Sequence, residues 1–289
     1  MRVARPELAE LAVAEAWEAG CAGIEERGER ESGENVTWLL IYAPSPEAEA
    51  VHRAVLRAVG LHGRVGSPEP VALVDWSEHW KQGLAPVVVS PRLVVRASFV
   101  EFELAPGQLE LVIDPGQAFG TGGHGSTLLA LQWIDALAQR AGGSLDPAMR
   151  VLDVGAGTGV LALAALRLGA GWAVALDLDP LAAPESKRWA ERAGLAERFQ
   201  VFSGPLAALS ARAFDLVLVN MLSGELLPLA AEIAAATRVA GYAVVSGLLA
   251  RERVAVEGEL AAVGLASRGV RSLCDSVGDH WVSLLMTRS

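Results

Sequence analysis

One stretch constrains this chain more than any other: Val151-Leu152-Asp153-Val154-Gly155-Ala156-Gly157-Thr158-Gly159-Val160-Leu161. Its apolar start reads as a buried strand, its alternating glycines as a tight turn, and Val160 onward as a helix. Glycines at such a turn adopt positive φ and let the backbone approach a ligand. The helix start beside them offers amides to an anion. The flanking sequence agrees with an α/β domain. Strands are predicted at 110–114, 150–154, 172–177, 199–202, 214–220 and 242–246, with helices near 126–141, 159–168, 181–193, 225–238 and 251–263. This alternation implies a parallel sheet covered on both faces. Two further strands, 265–274 and 281–287, flank a turn at Ser276–Asp279 and add an antiparallel member.

The turn can be read in two frames. Asp153-x-Gly155-x-Gly157-x-Gly159 has the spacing of S-adenosylmethionine sites, whereas Gly157-x-Gly159-x-x-Ala162 fits the dinucleotide fingerprint. Asp177 ends the next strand about twenty residues on and suits both, because a carboxylate there accepts ribose hydroxyls. Asp153 favours the first frame, since an acid so near the turn opposes a pyrophosphate.

Upstream, Asp114-Pro115-Gly116-Gln117-Ala118-Phe119-Gly120-Thr121-Gly122-Gly123-His124-Gly125-Ser126-Thr127 is too glycine-rich for a regular element and reads as a pliable loop over a ligand. Ser126 and Thr127 stand as helix caps. Thr127 is taken as a ligand contact and His124 as a plain loop histidine. Downstream, Phe214-Asp215-Leu216-Val217-Leu218-Val219-Asn220 is a buried strand ending in a polar residue. The carboxyl end of a central parallel strand is where α/β proteins build sites. Asn220 can both donate to and accept from an amine.

The first ~65 residues read as a separate small α/β unit. Leu8, Leu11, Val13 and Trp17 fall at helical spacing, strands follow at Ile24 and 36–41, and 44–60 is a second amphipathic helix with Ser45 as cap and Gly60 as stop. With Met1–Ala4 as a very short opening strand, this is a ferredoxin-like half-sandwich. Residues 66–98 are taken as a linker punctuated by prolines. In it Trp76 and Trp80 of Asp75-Trp76-Ser77-Glu78-His79-Trp80 share one helical face, which suits a packing clamp. Residues 99–289 form the nucleotide-binding domain.

Bulk composition narrows the function classes. The 289 residues are comfortable for two domains, and 52% apolar content supports a sizeable core. A net charge of −10 disfavours phosphate-backbone binding and suits a basic protein partner. No apolar run approaches the ~20 residues of a membrane helix, and Met1–Glu10 lacks a signal-peptide core. Cys21 and Cys274 form no CxxC, which fits reduced thiols in the cytoplasm. The five histidines lack metal-ligand spacing, so no metal is expected.

DPGQAFGTGGHGST, DVGAGTG, ALDLDP and NMLSGEL, in that order, resemble the PrmA family, methyltransferases of large-subunit ribosomal protein eleven. DWSEHW, SGLLARE and DHWVSL extend the resemblance from roughly Asp75 to the C-terminus. The resemblance implies a Rossmann-like S-adenosylmethionine domain and an N-terminal ferredoxin-like domain that recognises the ribosomal protein. It implies cofactor contacts at Thr127, Gly155, Asp177 and Asn220, to which the turn adds Gly157. It also implies methyl transfer to lysine amines and an N-terminal α-amine. The chemistry of the strand end assigns Asn220, with backbone carbonyls around Met221, to orient the amine. Departures are Gly125-Ser126 in the loop, Ala156 and Thr158 in the turn, and the short first strand of the N-terminal domain. A cytoplasmic monomer is expected. The competing readings are a lysine methyltransferase of another protein, such as the electron-transfer flavoprotein β-subunit, a nicotinamide-dependent oxidoreductase, and a non-catalytic cofactor-binding protein.

Overall fold

The computed structural model describes residues 2–3, 6–31, 34–60, 63–70, 84–114, 124–209, 213–275 and 278–289. The Trp76/Trp80 segment, the loop at 115–123, and Ser276 of the C-terminal turn lie outside these. The chain divides into two compact units, Met1–Ser77 and Glu78–Ser289.

The N-terminal unit runs β1 (Arg2–Val3), α1 (Pro6–Glu18), β2 (Gly23–Glu31), β3 (Glu34–Tyr42), α2 (Ala48–Val59) and β4 (Gly63–Arg64). Its antiparallel sheet has the order β2-β3-β1-β4. This is the β-α-β-β-α-β ferredoxin-like pattern, with the two-residue opening strand in place and a closing strand beyond α2. In α2, Val51, Val55 and Val59 recur every fourth residue and are all buried, as one helix face requires. Two local expectations change. Glu47, not Ser45, occupies the N-cap of α2. In α1 the buried stripe is Ala9, Ala12 and Ala16, whereas Leu11 and Trp17 are exposed. Alanines let a helix backbone approach its neighbour closely, and here that stripe, not the large side chains, faces the core.

The C-terminal unit opens with a three-stranded sheet, β5 (Val87–Val88), β6 (Leu93–Arg96) and β7 (Leu109–Val112). Leu93, Val94 and Val95 are completely buried, so this part of the expected linker is core. The strand expected at 110–114 also joins this small sheet and stays out of the large one. Arg92 pins it down through an ion pair with the buried Asp135 (2.6 Å).

Then follow α3 (Gly125–Arg140), β8 (Arg150–Val154), α4 (Val160–Arg167), β9 (Trp172–Asp177), α5 (Ala182–Arg192), β10 (Phe199–Ser203), β11 (Phe214–Asn220), α6 (Ser223–Leu226), α7 (Ala230–Ala236), β12 (Thr237–Leu249), α8 (Arg253–Ala262), β13 (Leu265–Cys274) and β14 (His280–Arg288). The expected helix 225–238 is broken into short pieces around Pro228, and Thr237–Ala240 continue as strand. The seven-stranded sheet has the order β10-β9-β8-β11-β12-β14-β13. Strands β8 to β12 are parallel to one another, and β14 is reversed between β12 and β13. Leu216 to Val219 have no exposed surface, because helices cover both faces of a parallel sheet. The chain steps from β8 to β9 on one side and to β11 on the other. Their carboxyl ends therefore splay apart, which is where doubly wound sheets bind ligands.

Candidate active site

At that switch point lies a cavity of about 740 Å³. Gly155 and Gly157 supply its floor, Asp177 and Leu178 one wall, Asn220, Met221 and Glu225 the other, and His124, Ser126 and Trp281 the far end. Four of the five residues expected at the site line it: Gly155, Gly157, Asp177 and Asn220. The fifth, Thr127, is fully buried behind Asn220, whose Nδ2 donates to Thr127 Oγ1 (3.1 Å).

The turn after β8 is tightly self-bonded. Gly155 N–H and Ala156 N–H both donate to Leu176 O (2.9 and 3.0 Å), Gly157 N–H to Asp177 Oδ2 (2.8 Å), and Gly159 N–H to Ala156 O (2.7 Å). Gly155, Gly157 and Gly159 have φ of +68°, +52° and +77°, a region that favours glycine. Asp153 lies beneath the turn, 1% exposed, and accepts Ala162 N–H (3.0 Å). It satisfies an amide of the first turn of α4 that would otherwise be orphaned.

Burial drives the Asp153 carboxyl up to about 7, with the Asp177 charge adding to the rise and the Ala162 hydrogen bond opposing it. An acid whose folded pKa lies above its unfolded value binds more protons when folded. Stability is then lost as pH rises from about 4 towards 7. Asp153→Asn keeps an acceptor for Ala162 and removes the buried charge. Thermal melts between pH 4 and 8 are expected to show this variant gaining on the wild type as pH rises, by up to roughly 4 kcal/mol. A difference independent of pH would refute the assignment.

These bonds also discriminate between the two cofactor frames. A pyrophosphate needs unengaged turn amides, and here four of them are spent within the protein. Two carboxylates, Asp177 and Asp179, line the cavity beside them. Asp153, expected to oppose a phosphate, is turned inward beneath the turn; Asp177 suits either cofactor, which leaves Asp179 as the cavity carboxylate that disfavours a phosphate. The remaining features suit S-adenosylmethionine: a carboxylate at the end of β9 for ribose hydroxyls, and apolar Leu178, Ala182 and Leu206 for a flat base. The Asp177 carboxylate is already oriented by Gly157 N–H and by Asp179 N–H (2.9 Å).

The far end is built from residues that the sequence reading placed otherwise. His124 is the N-cap of α3, and its Nδ1 lies 2.8 Å from Ser126 Oγ. Ser126 and Thr127 fall inside the first turn and are buried. The His124 ring packs edge-on against Trp281, with centroids 4.5 Å apart. Trp281 is anchored in turn, Nε1 donating to Asp275 Oδ2 (2.8 Å). Because β14 runs antiparallel, its first residues arrive at the same end of the sheet as the carboxyl ends of β8 and β11. The histidine and tryptophan are visible in the HGST and DHWVSL motifs, but only the strand reversal brings them together.

A doubly wound sheet with this turn, this acid and this cavity defines an S-adenosylmethionine-dependent methyltransferase. Residues 25–288 match the family described as ribosomal protein L11 methyltransferase (PrmA). The chain belongs to that family. A ribosomal protein L11 methyltransferase from Pelobacter propionicus is 34% identical over 83% of this chain and 77% of its own length. One from Chloroflexus aurantiacus is 30% identical over 96% and 89%. The crystal structure of a ribosomal protein L11 methylase from Lactobacillus delbrueckii subsp. bulgaricus superposes with a TM-score of 0.61 at 25% identity, covering 71% of this chain and all of that one.

Proposed function

We propose that this enzyme transfers methyl groups to lysine side-chain amines and the N-terminal α-amine of large-subunit ribosomal protein L11. The observation that carries this reading is the carboxamide of Asn220. Its Nδ2 donates one N–H to Thr127 Oγ1, which fixes the carboxamide on the cavity wall with an acceptor oxygen and a second N–H, and an acceptor oxygen on this wall suits a neutral amine N–H. The family's relatives are named for L11, and a chain of net charge −10 suits a basic partner.

Bound S-adenosylmethionine supplies an electrophilic methyl on a sulfonium. The protein's residues align and desolvate. Asp177 holds the ribose, and Gly155 and Gly157 allow the methionine end close to the backbone. Thr127 fixes Asn220, which orients the amine. The amine reacts in its neutral form, which desolvation against Met221, Leu222 and Trp281 favours and the Glu225 carboxylate on the same wall opposes. Placement alone lowers such a barrier by several kcal/mol. The N-terminal residues 1–65 recognise the ribosomal protein and lead into a linker within 66–98, of which 87–96 is anchored in the catalytic unit. Among the described residues no helix is long and apolar enough to cross a membrane. The enzyme acts in the cytoplasm beside its ribosomal substrate, as a monomer whose net charge of −10 disfavours direct nucleic-acid binding.

Labelled S-adenosylmethionine and enzyme, mixed with free L11 and separately with a whole-cell protein extract, are expected to label L11, at amines mapped by mass spectrometry. Label appearing only on another protein of a cell extract would overturn the substrate, and label nowhere would overturn the chemistry. Asp177→Ala is expected to weaken cofactor binding by one to two orders of magnitude, the loss of hydrogen bonds to a charged acceptor. Calorimetric titration checks it, and unchanged affinity would remove Asp177 from the ribose.

A further inference from the structure

The SGLLARE segment ends in Glu252, which touches no part of the cavity but is bonded at both carboxylate oxygens. Oε2 accepts Leu249 N–H (2.9 Å) and Oε1 accepts the Ser223 hydroxyl (2.9 Å). The first bond is an ordinary N-terminal cap, satisfying the amide at the start of its own helical turn. A cap needs only one oxygen. The second reaches 29 residues back along the chain, to the first residue of α6.

Ser223 is separated from Asn220 by only Met221 and Leu222. Those two residues are held from the same side. Met221 N–H donates to Ser246 O (3.2 Å), and the Met221 backbone lies directly against Gly247. The segment that carries Asn220, Met221, Leu222 and Glu225 along the cavity is therefore tied at three points. Thr127 holds its start, the end of β12 holds its middle, and Glu252 holds its end. We propose that Glu252 is a positioning residue for methyl transfer, acting through Ser223 to fix the wall of the cavity against which the acceptor amine is aligned. This rests on the reading of Asn220 as the group that orients the amine. The cofactor's contacts at Gly155 and Asp177 belong to other strands and do not pass through this latch.

The test is a set of three variants, Ser223→Ala, Glu252→Ala and Glu252→Gln, assayed for kcat with L11 and for S-adenosylmethionine affinity by calorimetry. Ser223→Ala deletes one hydroxyl and leaves the cap intact, so it remains informative if Glu252→Ala folds poorly. Ser223→Ala is expected to lower kcat about tenfold with cofactor Kd within twofold, since a small misplacement of aligned groups is costly. Glu252→Ala, which also removes the cap on Leu249 N–H, should lower kcat at least as far as Ser223→Ala, and the double variant should do no worse than Glu252→Ala alone, as expected when the shared bond is already lost. Glu252→Gln should recover most of the loss, its Oε1 accepting Leu249 N–H and its Nε2 donating to Ser223 Oγ. Unchanged kcat in Ser223→Ala, or kcat and cofactor affinity falling in parallel, would overturn the latch, while the reading of Asn220 would stand as long as Asn220→Ala lowers kcat with cofactor affinity kept. Absence of wild-type turnover on any protein amine would overturn both.

Discussion

Replacing Asn220 by alanine is expected to lower kcat about a hundredfold and to leave cofactor affinity within a few-fold of the wild type. The magnitude is that of losing one preorganised hydrogen-bonding group at a reacting centre. The selectivity follows from placement. Asn220 ends β11, on the acceptor wall of the cavity, whereas Gly155, Gly157 and Asp177 end β8 and β9. Asn220→Asp sharpens the test. It preserves shape but places a negative charge where a neutral acceptor stood. That charge stabilises an ammonium and raises its pKa, so the fraction of neutral amine falls. The aspartate variant should bind the acceptor and turn it over slowly, with its pH profile displaced upward from the wild type. Thr127→Val should reproduce part of the alanine defect, because it removes the hydroxyl that holds the carboxamide. Single-turnover methyl transfer measures all three. An alanine variant with wild-type kcat would take Asn220 out of the reaction, and a loss confined to cofactor Kd would move it to the binding of S-adenosylmethionine.

The parts of this molecule that could be read from its sequence are those whose cause is local. Strands at 150–154, 172–177 and 214–220 are expected within those bounds and occur there, because short, mostly apolar runs stopped by glycine, aspartate or asparagine leave little else to form. Positions that depend on distant packing were misplaced. Ser126 and Thr127 look like helix caps by residue type, yet burial against Ser246 and Asn220 draws them into the helix, Ser246 Oγ donating to Ser126 O (2.7 Å) and Asn220 to Thr127. His124 takes the cap instead. Leu11 and Trp17 look like core by hydrophobicity, but alanines fill that face. The two- and four-residue strands at 87–96 are too short for any periodicity to show, although Leu93 to Val95 are as buried as the central sheet. Trp281 and Glu252 reach the site or its support only because β14 is reversed and the turn after β12 folds back over α6. Neither event has a signature within a window of neighbouring residues.

Gly247→Ala is expected to destabilise the C-terminal unit by about 3–5 kcal/mol, the range for forcing a buried site to overpack at a strained backbone position. At two places an added methyl group would meet Met221, and they differ in what they strike. At Gly155 the nearest atom is Met221 Cε, 2.4 Å away, the end of a flexible side chain that can swing aside. At Gly247 the neighbours are the Met221 carbonyl oxygen, carbonyl carbon and nitrogen at 2.3, 2.7 and 2.8 Å. That backbone is held by its own hydrogen bond to Ser246, so it can yield only by pulling β11 and β12 apart at their carboxyl ends. Both glycines sit at positive φ, +68° and +87°, which a residue with Cβ adopts only at a cost, so that cost is common to the two variants and the difference rests on what the methyl group strikes. Thermal unfolding should therefore drop by about 10 °C in Gly247→Ala and by distinctly less in Gly155→Ala. The activities should order differently. Gly155→Ala is expected to weaken cofactor binding with modest loss of stability, since the displaced methionine side chain enters the cavity. Whatever Gly247→Ala protein remains folded should bind the cofactor but turn over poorly, since the shift it forces begins one residue from Asn220. Equal stability losses in the two variants would mean that the Met221 backbone yields as readily as its side chain, and that Asn220 is held less firmly than its hydrogen bonds imply.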